Sequence, residues 1–458
     1  MHFVDAVGQE ITIGNPRATE AWDRTVKAFL AHSAETPTHL GEVLEKAPNF
    51  ALAWACKGLF YLLLGRSELV PTAREALKEA RRAAELTNPS MRERAFIEAL
   101  QAYLLGQPSL AAEMLGELVK IYPRDMLAVK LDQAIRFVLG DRKGMEQSMM
   151  AAMKGIDTGH PHWGYAQGCL AFAFEENGDY ASAERCGRAG LEVCPDDAWG
   201  LHAVAHVYDM TARNDLGVAW LETRQEAWAH CNNFGFHVWW HLALFHLDRG
   251  DYDRVLELYD TRVRAEHTDD YRDISNGASM LVRLEIEGID VGERWEELAA
   301  LSAGRVEDGA VVFADLHYLM ALNGGERSAA ADALVARIAA DAQRRDHDMH
   351  EVADLAGLPC AQGLAAFRAG DYHLAFDQLR KSRPLLQRVG GSHAQRDVFS
   401  RLLIEAGIRA GRLEEAEAET HARAARRGAE DNFTERRLAA IARQRAAPAV
   451  FDAFQTRA

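Results

Sequence analysis

The chain has 458 residues, of which 48% are hydrophobic and 26% charged, a composition typical of a folded globular or repeat protein. Lys and Arg together number 52 and Asp and Glu 68, so the formal net charge is −16. Because nucleic-acid phosphates require a basic surface, this acidic balance argues against nucleic acid as a main partner.

The first part of the chain has no targeting or membrane-spanning pattern. Residues 1–16 lack a basic stretch followed by an apolar one, so we predict no signal peptide, and residues 8–14 (GQEITIG) could form a short strand. The longest apolar run, 50–65, is interrupted by Lys57 and is too short to cross a bilayer. The six cysteines form no CxxC pair, which is typical of free thiols in a reducing compartment. We therefore expect a cytoplasmic protein without membrane contact.

A repeating unit runs along most of the chain. It consists of an apolar run, a break, and an alanine-containing amphipathic run. The first six breaks and the last two are spaced 34–41 residues apart, close to the 34-residue tetratricopeptide unit. The breaks lie at Gly65, Gly106, Gly140, Gly178, Arg213, Gly250, Gly370 and Gly411.

The clearest copy of the unit is residues 164–195. Ala171 and Ala183 would let two helices approach closely, as in a helix–turn–helix repeat. Gly178 would supply the positive backbone angle of the turn, and Pro195 would end one helix and start the next. The residue types therefore match the mechanical requirements of a tetratricopeptide hairpin.

These patterns predict an all-α fold, a right-handed tetratricopeptide-repeat α-solenoid. Strand signals are nearly absent, and each repeat would bury its apolar face against its neighbours in one continuous domain. We expect a single domain over 1–458, made of an N-terminal helical cap (1–48), regular repeats (49–264), irregular repeats with longer loops (265–355) and C-terminal repeats with a cap (356–458).

Three successive repeats are expected to point polar and aromatic side chains at one concave surface. On the predicted helix 197–211, one stripe carries the apolar packing residues, and the adjacent stripe faces the groove. The groove-facing residues of this helix and its two neighbours are Tyr165, Phe172, Glu175, Trp199, His202, His206, Asp209, His237, Trp240 and His241. This acidic and aromatic set favours a pocket for a compact ligand over an open peptide track.

Histidines four residues apart on a helix can also chelate zinc, and Asp209 could add an oxygen ligand. The zinc-protease pattern, however, needs Glu directly after the first histidine, and Ala203 and Val238 occupy those positions. We therefore predict no bound metal and no cofactor. The weaker alternative is a metal held by His202, His206, His237 and His241.

Acid–base catalysis is a further alternative, because imidazole titrates near neutral pH. Its candidates would be His202, His206, Asp209 and His241, with Asp209 or Glu175 holding a histidine tautomer. No nucleophile elbow, P-loop or dinucleotide fingerprint is present. The sequence therefore leaves open whether the protein is an enzyme.

Two later stretches add candidate ligand residues. Asp315 and His317 lie near the start of an apolar run, where Asp315 could instead cap a helix. In residues 389–403, Ser392 and Gln395 fit a capping box. The same stretch carries His393 and Arg396, and the Arg396 guanidinium could hold a carboxylate or phosphate.

Four strings together resemble the tetratricopeptide repeat protein thirty-eight family. They are residues 199–210 (WGLHAVAHVYDM), 231–260 (CNNFGFHVWWHLALFHLDRGDYDRVLELYD), 313–322 (FADLHYLMAL) and 390–399 (GGSHAQRDVF). The resemblance covers nearly the whole chain in the same order and implies a tetratricopeptide superhelix. It implies no biochemical activity and no catalytic residues.

The leading functional hypothesis is a binding protein that holds a small polar or anionic ligand, or a short peptide end, in the concave groove. Trp199 and Trp240 would form apolar walls, the four histidines would supply polar contacts, and Arg396 would be an anion clamp. The alternatives are a hydrolase or lyase that uses these histidines, and a scaffold for protein partners. Neither nucleic acid nor membrane is an expected partner, and a homo-oligomer remains open.

Overall fold

A computed structural model describes residues 3–446, and the regular secondary structure of these residues is almost entirely helical. The exceptions include two short antiparallel strands, β1 (Phe3–Val4) and β2 (Glu10–Ile11), the second inside the predicted strand 8–14. The end of the predicted C-terminal cap, 447–458, lies outside the described residues.

The first half of the chain forms twelve α-helices in succession. They are α1 (Pro16–Leu30), α2 (Thr36–Lys46), α3 (Ala51–Leu63), α4 (Val70–Thr87), α5 (Met91–Leu104), α6 (Pro108–Ile121), α7 (Met126–Val138), α8 (Arg142–Ala152), α9 (Trp163–Glu176), α10 (Tyr180–Val193), α11 (Ala198–Met210) and α12 (Asn214–Glu222). Short 3₁₀ turns lie at Ser67–Leu69 and Gln225–Trp228.

The second half continues the same architecture with more irregular helices. They are α13 (Phe234–Arg249), α14 (Tyr252–Leu258), α15 (Tyr271–Ile286), α16 (Arg294–Ala303), α17 (Val312–Gly324), α18 (Ser328–Asp341), α19 (His350–Val352), α20 (Leu358–Arg368), α21 (Tyr372–Ser382), α22 (His393–Arg409), α23 (Leu413–Arg427) and α24 (Asn432–Ala446). Tyr259–Val263 and Ala353–Gly357 are π-helical, and Arg383–Val389 is a 3₁₀ helix.

The predicted breaks are turns between paired helices. All seven glycines at these breaks have φ between 63° and 87°, the left-handed region that glycine adopts without steric cost. At the one break without a glycine, Arg213, the preceding residue Ala212 has φ 53°. The spacing of the breaks therefore located the turns correctly, including the one without a glycine.

Consecutive helices pack side by side, as α3 does on α4, α9 on α10 and α20 on α21. In addition α9, α11, α13, α15 and α17 each contact the next helix of that series, which we call the inner row. The buried apolar residues of the solenoid form two large clusters, one with members between Ile11 and Ala203 and one with members between Val138 and Phe433. The chain is thus an all-α solenoid of tetratricopeptide-like hairpins, as predicted.

The second half of the solenoid folds back against the turns of the first half. Arg66 Nη2 lies 3.0 Å from Asp269 Oδ2, and Gln387 Nε2 donates to the Gly140 carbonyl at 3.2 Å. Helix α22 packs on α15 and also contacts α11 of the inner row. Helix α22 therefore covers part of the inner row.

All six cysteines are free thiols. Within residues 3–446, no helix combines the length and apolar character needed to cross a bilayer.

Candidate functional site: a histidine cluster beside a cavity

Two adjacent helices of the inner row bring four histidines together. His202 and His206 lie one turn apart on α11, and His237 and His241 lie one turn apart on α13. Because side chains four residues apart share a helix face, each helix presents a pair, and the packing of α11 on α13 joins the pairs. We call these four residues the histidine cluster.

The ring nitrogens of the cluster converge on one point. The Nε2 atom of His202 lies 2.9 Å from that of His206 and 3.0 Å from that of His237. The Nε2 atoms of His237 and His241 are 3.2 Å apart. One nitrogen from each of the four rings lies within 4.8 Å of all the others.

The outer nitrogens have fewer partners. His237 Nδ1 lies 3.0 Å from Asn276 Oδ1 on α15, and His206 Nδ1 lies 3.5 Å from Glu175 Oε2 on α9. The Nδ1 atoms of His202 and His241 are buried and have no hydrogen-bond partner among the described residues. Neither carboxylate oxygen of Glu175 accepts a regular hydrogen bond from that part of the chain.

Aromatic rings hold the imidazoles in place. Phe172 stacks on His202 with ring centroids 5.8 Å apart, and Trp240 stacks on His237 at 5.3 Å and an interplanar angle of 17°. Phe172 and Trp240 are themselves fully buried, so neither ring can swing away without opening the core. This packing limits the movement of the imidazoles, of which His202, His206 and His241 are buried and His237 is partly buried.

Burial controls the charge of these rings. It lowers the pKa of His202 and of His241 well below the usual value, with the neighbouring histidines adding to the shift. Burial also lowers the pKa of His237 to about 3, although the hydrogen bond with Asn276 opposes it. For His206, burial is outweighed by the charge of Glu175, which raises the pKa. Three of the four rings are thus neutral at pH 7, and each has a nitrogen lone pair available.

The cluster forms part of the wall of a cavity of about 490 Å³. His202 and His237 line the cavity, whereas His206 and His241 lie behind them. Most of the remaining wall is apolar and comes from both ends of the chain: Phe29, Leu40, Leu44, Phe60, Leu64, Phe137, Val138, Phe234, Val311 and Phe313. This volume suits a small organic molecule.

The charged groups in the wall are all cationic. Lys57, Lys130 and Arg272 line the cavity, and none of the described residues that line it is Asp or Glu. Arg272 is paired with Asp270 at 2.6 Å. The cavity is thus a positive region inside a chain of net charge −16.

Lys130 is the most deeply buried of these cations, at 5% exposure. Its ammonium group lies 4.3 Å from the centre of the Trp199 ring, within range of a cation–π interaction. Burial raises the pKa of the nearby Asp197 to about 7 even though Lys130 opposes the shift. Asp197 therefore offsets the charge of Lys130 only in part.

The structure places the other predicted residues of these repeats as follows. Trp199 lines the cavity and is stacked on His32, with ring centroids 5.2 Å apart. Tyr165 is buried at the start of α9 and is not among the residues that line the cavity. Asp209 points away from the histidines and pairs with Arg427 of α23 at 3.0 Å.

The later candidates lie outside the cavity wall. Helix α17 begins at Val312, so Asp315 lies in its first turn rather than at the cap position, and it forms an ion pair with Arg337. His317 is buried, and its Nδ1 atom contacts the Phe313 carbonyl of its own helix at 2.7 Å. None of Asp315, His317 and Arg337 lines the cavity.

His393 and Arg396 bind Glu176 of α9 instead of an external anion. The backbone N–H of His393 donates to Glu176 Oε1 at 2.8 Å, and Arg396 Nη2 donates to Glu176 Oε2 at 3.1 Å. The predicted capping box is present, with Ser392 and Gln395 exchanging backbone and side-chain hydrogen bonds. Both of these residues line the cavity.

Several residues of the cavity wall and of the histidine cluster's surroundings were not predicted from the sequence. Lys130, Gln133 and Phe137 have the i, i+3, i+7 spacing of one helix face on α7, a signal equal to the one used for α11. Lys57 interrupts the apolar run 50–65, which is itself a sign of a functional charge. Asn276 has no comparable signal, because its role depends on how α15 packs against α13.

No family model matches the chain. Among solved structures, the chain aligns with one described as "Structure of Naa15/Naa10 bound to HypK-THB", at 13% sequence identity and a TM-score of 0.25. The alignment covers 93% of this chain and 66% of the other, so this chain spans slightly less than two thirds of that protein's length. A likeness this weak carries no argument, and the fold assignment rests on the helix pairs described above.

Proposed function

We propose that the protein binds a small amphipathic anion in the cavity, with an apolar body among the phenylalanines and leucines and an anionic head group near Lys130. The observation that carries the proposal is the wall itself, about 490 Å³ of largely apolar space whose charged groups are all cationic. Burying a cation whose charge is offset only in part is costly, so a ligand anion would stabilise Lys130.

A compact ligand fits this site better than an extended peptide. Helix α22 packs against α15 and contacts α11, so it occupies part of the concave side that a peptide would follow in an open solenoid. The short peptide end considered from the sequence would have to enter with its carboxylate first. The cationic wall would accept such a carboxylate but not an N-terminal ammonium group.

The binding test uses a matched series of straight-chain carboxylates, alcohols and amines of equal length. The carboxylates should raise the melting temperature of the full-length protein most, because only they pair with the buried ammonium group. The double variant Lys57→Met/Lys130→Met should lose the preference for carboxylates over alcohols, whereas Lys143→Met, on an exposed position of α8, should keep it. Equal stabilisation by amines and carboxylates would contradict the proposal.

A second candidate function is an enzyme that acts on the bound molecule through the histidine cluster. The supporting observation is that His202 and His237 face the cavity while the rest of the cluster lies behind them. In that case His237→Gln should abolish turnover of a bound p-nitrophenyl ester but leave the binding of the matching carboxylate. A scaffold for protein partners is the remaining alternative, and no side chain described above favours it over a ligand.

We also propose that the chain is a member of the tetratricopeptide repeat protein thirty-eight family. Support comes from the four strings at 199–210, 231–260, 313–322 and 390–399. Two of them supply the histidine cluster, and a third supplies Ser392 and Gln395 at the cavity wall. Conservation of the histidines and of Lys130 among family members would be the result to look for.

A further inference from the structure

We propose that the histidine cluster is a binding site for one divalent first-row transition metal ion, held by the Nε2 atoms of His202, His206, His237 and His241. The site goes beyond the proposed ligand binding and does not depend on it. From the sequence alone we predicted that no metal is bound. The three-dimensional arrangement of the four nitrogens favours a bound metal ion instead.

Hydrogen bonds can pair the four Nε2 atoms only two by two, and the 3.0 Å contact between His202 and His237 then joins two atoms that are already paired. Each Nε2 atom of a neutral imidazole has either one hydrogen or one lone pair, directed outward in the ring plane, and so makes one good hydrogen bond. Yet His202 Nε2 has two imidazole nitrogens, at 2.9 and 3.0 Å, and His237 Nε2 has two, at 3.0 and 3.2 Å. A cation at the centre would accept one lone pair from each ring at once.

The separations are close to those of a tetrahedral site. Zn–N bonds of about 2.0–2.1 Å place neighbouring nitrogens about 3.3–3.4 Å apart in a tetrahedron. The three shortest separations in the cluster are 2.9, 3.0 and 3.2 Å. An expansion of a few tenths of an ångström would bring these three separations to the tetrahedral value, and the remaining three lie within 4.8 Å.

Two outer contacts favour the tautomer that metal binding requires. If Asn276 Oδ1 accepts the Nδ1–H of His237, the Nε2 atom of that ring is left with its lone pair facing the centre. Glu175 has the same relation to His206, with its carboxylate 3.5 Å from Nδ1. Carboxylate–histidine–metal and amide–histidine–metal chains of this kind orient ligands in many metal sites.

Glu175 places a buried carboxylate beside the cluster. It is fully buried, and neither of its oxygens accepts a regular hydrogen bond from the described residues. Glu176, the adjacent residue, is already neutralised by Arg396. A dication beyond the His206 ring would compensate the buried charge of Glu175 through that ring.

The donor set restricts the kind of metal. Four imidazole nitrogens suit Zn²⁺, Fe²⁺, Co²⁺, Ni²⁺ or Cu²⁺, whereas Ca²⁺ and Mg²⁺ prefer oxygen ligands. The tetrahedral separations and the absence of a ligand-field preference in zinc make Zn²⁺ the first ion to test. Because His202 and His237 line the cavity, the ion would be reached from the cavity side.

The test titrates metal-free full-length protein with Zn²⁺ alone by calorimetry, and with Co²⁺ as a spectroscopic probe. We expect one equivalent of Zn²⁺ to bind, and Co²⁺ to give the intense visible bands of a four-coordinate nitrogen site. His202→Gln and His237→Gln should lose both signals. The control His160→Gln should retain both, since His160 is buried away from the cluster and bonds to the Arg124 carbonyl.

A second variant keeps the test decisive if a ligand variant does not fold. Asn276→Leu leaves all four ligands in place and should weaken Zn²⁺ binding by about 10- to 100-fold, the usual effect of losing an outer partner. Wild-type protein with native helicity that binds less than a tenth of an equivalent of Zn²⁺ or Co²⁺ would overturn the proposal. Unchanged binding by folded His202→Gln and His237→Gln would also overturn it.

Discussion

Two buried polar clusters in this protein differ in how their polar atoms are satisfied. The first is the histidine cluster on α11 and α13. The second, which we call the arginine–aspartate cluster, joins α22, α23 and the start of α24, and consists of Asp397, Arg401, Arg423, Arg427 and Asp431. Both are shielded from solvent, so each must be compensated from within the protein or by something bound to it.

The arginine–aspartate cluster compensates itself. Arg423 donates to Asp397 at 2.6 and 2.9 Å and to Asp431 at 2.8 and 2.7 Å. Thr434 adds further hydrogen bonds to Asp431, and Arg427 ties the cluster to Asp209 on α11. Arg401 Nη1 and Arg427 Nε have no regular hydrogen-bond partner among the described residues, but every charged side chain of this cluster has an oppositely charged neighbour within it. The cluster fastens the C-terminal helices to the inner row through Arg427 and Asp209.

The histidine cluster has no such internal match. Its Nε2 atoms contact one another, three of its Nδ1 atoms have no regular hydrogen-bond partner among the described residues, and Glu175 also lacks one. The comparison indicates that a buried polar cluster which satisfies itself stabilises the fold, while one left incomplete in a cavity wall is suited to receive a ligand. Each prediction below tests one side of this contrast.

The largest effect should come from breaking the self-compensated cluster. Arg423→Ala leaves Asp397 and Asp431 buried with much of their compensation removed, and such losses typically cost about 3–5 kcal/mol. The free energy of unfolding, measured by urea denaturation, should fall by that amount. Arg426→Ala, at an exposed position of the same helix, should change it by less than about 0.5 kcal/mol. Similar losses in the two variants would mean that the observed ion pairs contribute little.

The next effect belongs to the incomplete cluster and depends on added metal. An ion that binds only the folded state stabilises it by about 2.7 kcal/mol when its free concentration is one hundred times Kd. Zn²⁺ should therefore stabilise the wild-type protein and Arg426→Ala equally, and should leave His202→Gln unchanged. Unfolding curves with and without a chelator measure this increment. An equal increment in His202→Gln would place the ion elsewhere.

Acid should affect the arginine–aspartate cluster through Asp397. Burial raises the pKa of Asp397, but the charges of Arg423 and Arg401 outweigh burial and hold it well below its usual range. Its stabilising contribution is thus complete above the unfolded pKa of about 3.9 and is lost as the pH falls toward the lower folded pKa. Below pH 4 this one carboxyl should add a slope of up to about 1.4 kcal/mol per pH unit.

Asp397→Asn should show a smaller loss of stability between pH 5 and pH 3 than the wild type, although it starts from a lower value at pH 7. Unfolding in urea at several pH values gives the two slopes. Asp332→Asn, at an exposed position of α18, serves as the control and should keep the wild-type slope. Parallel slopes in Asp397→Asn and wild type would show that other carboxyl groups govern acid unfolding.

Most of the fold could be predicted from the sequence because its signals are local. The positive φ of Gly178 and the capping box of Ser392 and Gln395 depend on residues within a few positions of each other. The approach of His202 to His206 is likewise fixed by one turn of helix. Their approach to His237 followed from the repeat register, which places equivalent helices side by side.

The remaining features depend on how the solenoid closes, which no local pattern specifies. Asp209 and Arg427 are separated by 218 residues, and Glu176 and Arg396 by 220, so neither pairing follows from helical periodicity. Asp209 and Arg396 looked available for a ligand when only their own repeats were considered. The approach of the C-terminal helices to the inner row pairs Asp209 with Arg427 and Arg396 with Glu176. Lys130 is left as a buried cation at the cavity wall.

The smallest expected change in stability comes from replacing single histidines in metal-free protein. The comparison is between a histidine of the cluster, His241, and a buried histidine whose two nitrogens are both hydrogen-bonded, His160. His241 has no partner on Nδ1, and its Nε2 atom contacts only another imidazole. His160 uses both nitrogens, Nε2 on the Arg124 carbonyl and Nδ1 on the backbone N–H of His162. His241→Leu should therefore cost less than about 1 kcal/mol, since it leaves no new buried group without a partner.

His160→Leu should cost about 1–3 kcal/mol, because it leaves the His162 backbone N–H without its acceptor and removes one of the two hydrogen bonds to the Arg124 carbonyl. Urea unfolding in the presence of a chelator measures both values under the same conditions. If His241→Leu proves as costly as His160→Leu, the cluster must already be satisfied without an ion, through a proton shared among its nitrogens. The two buried clusters would then both be satisfied internally, one by ion pairs and the other by hydrogen bonds between imidazoles.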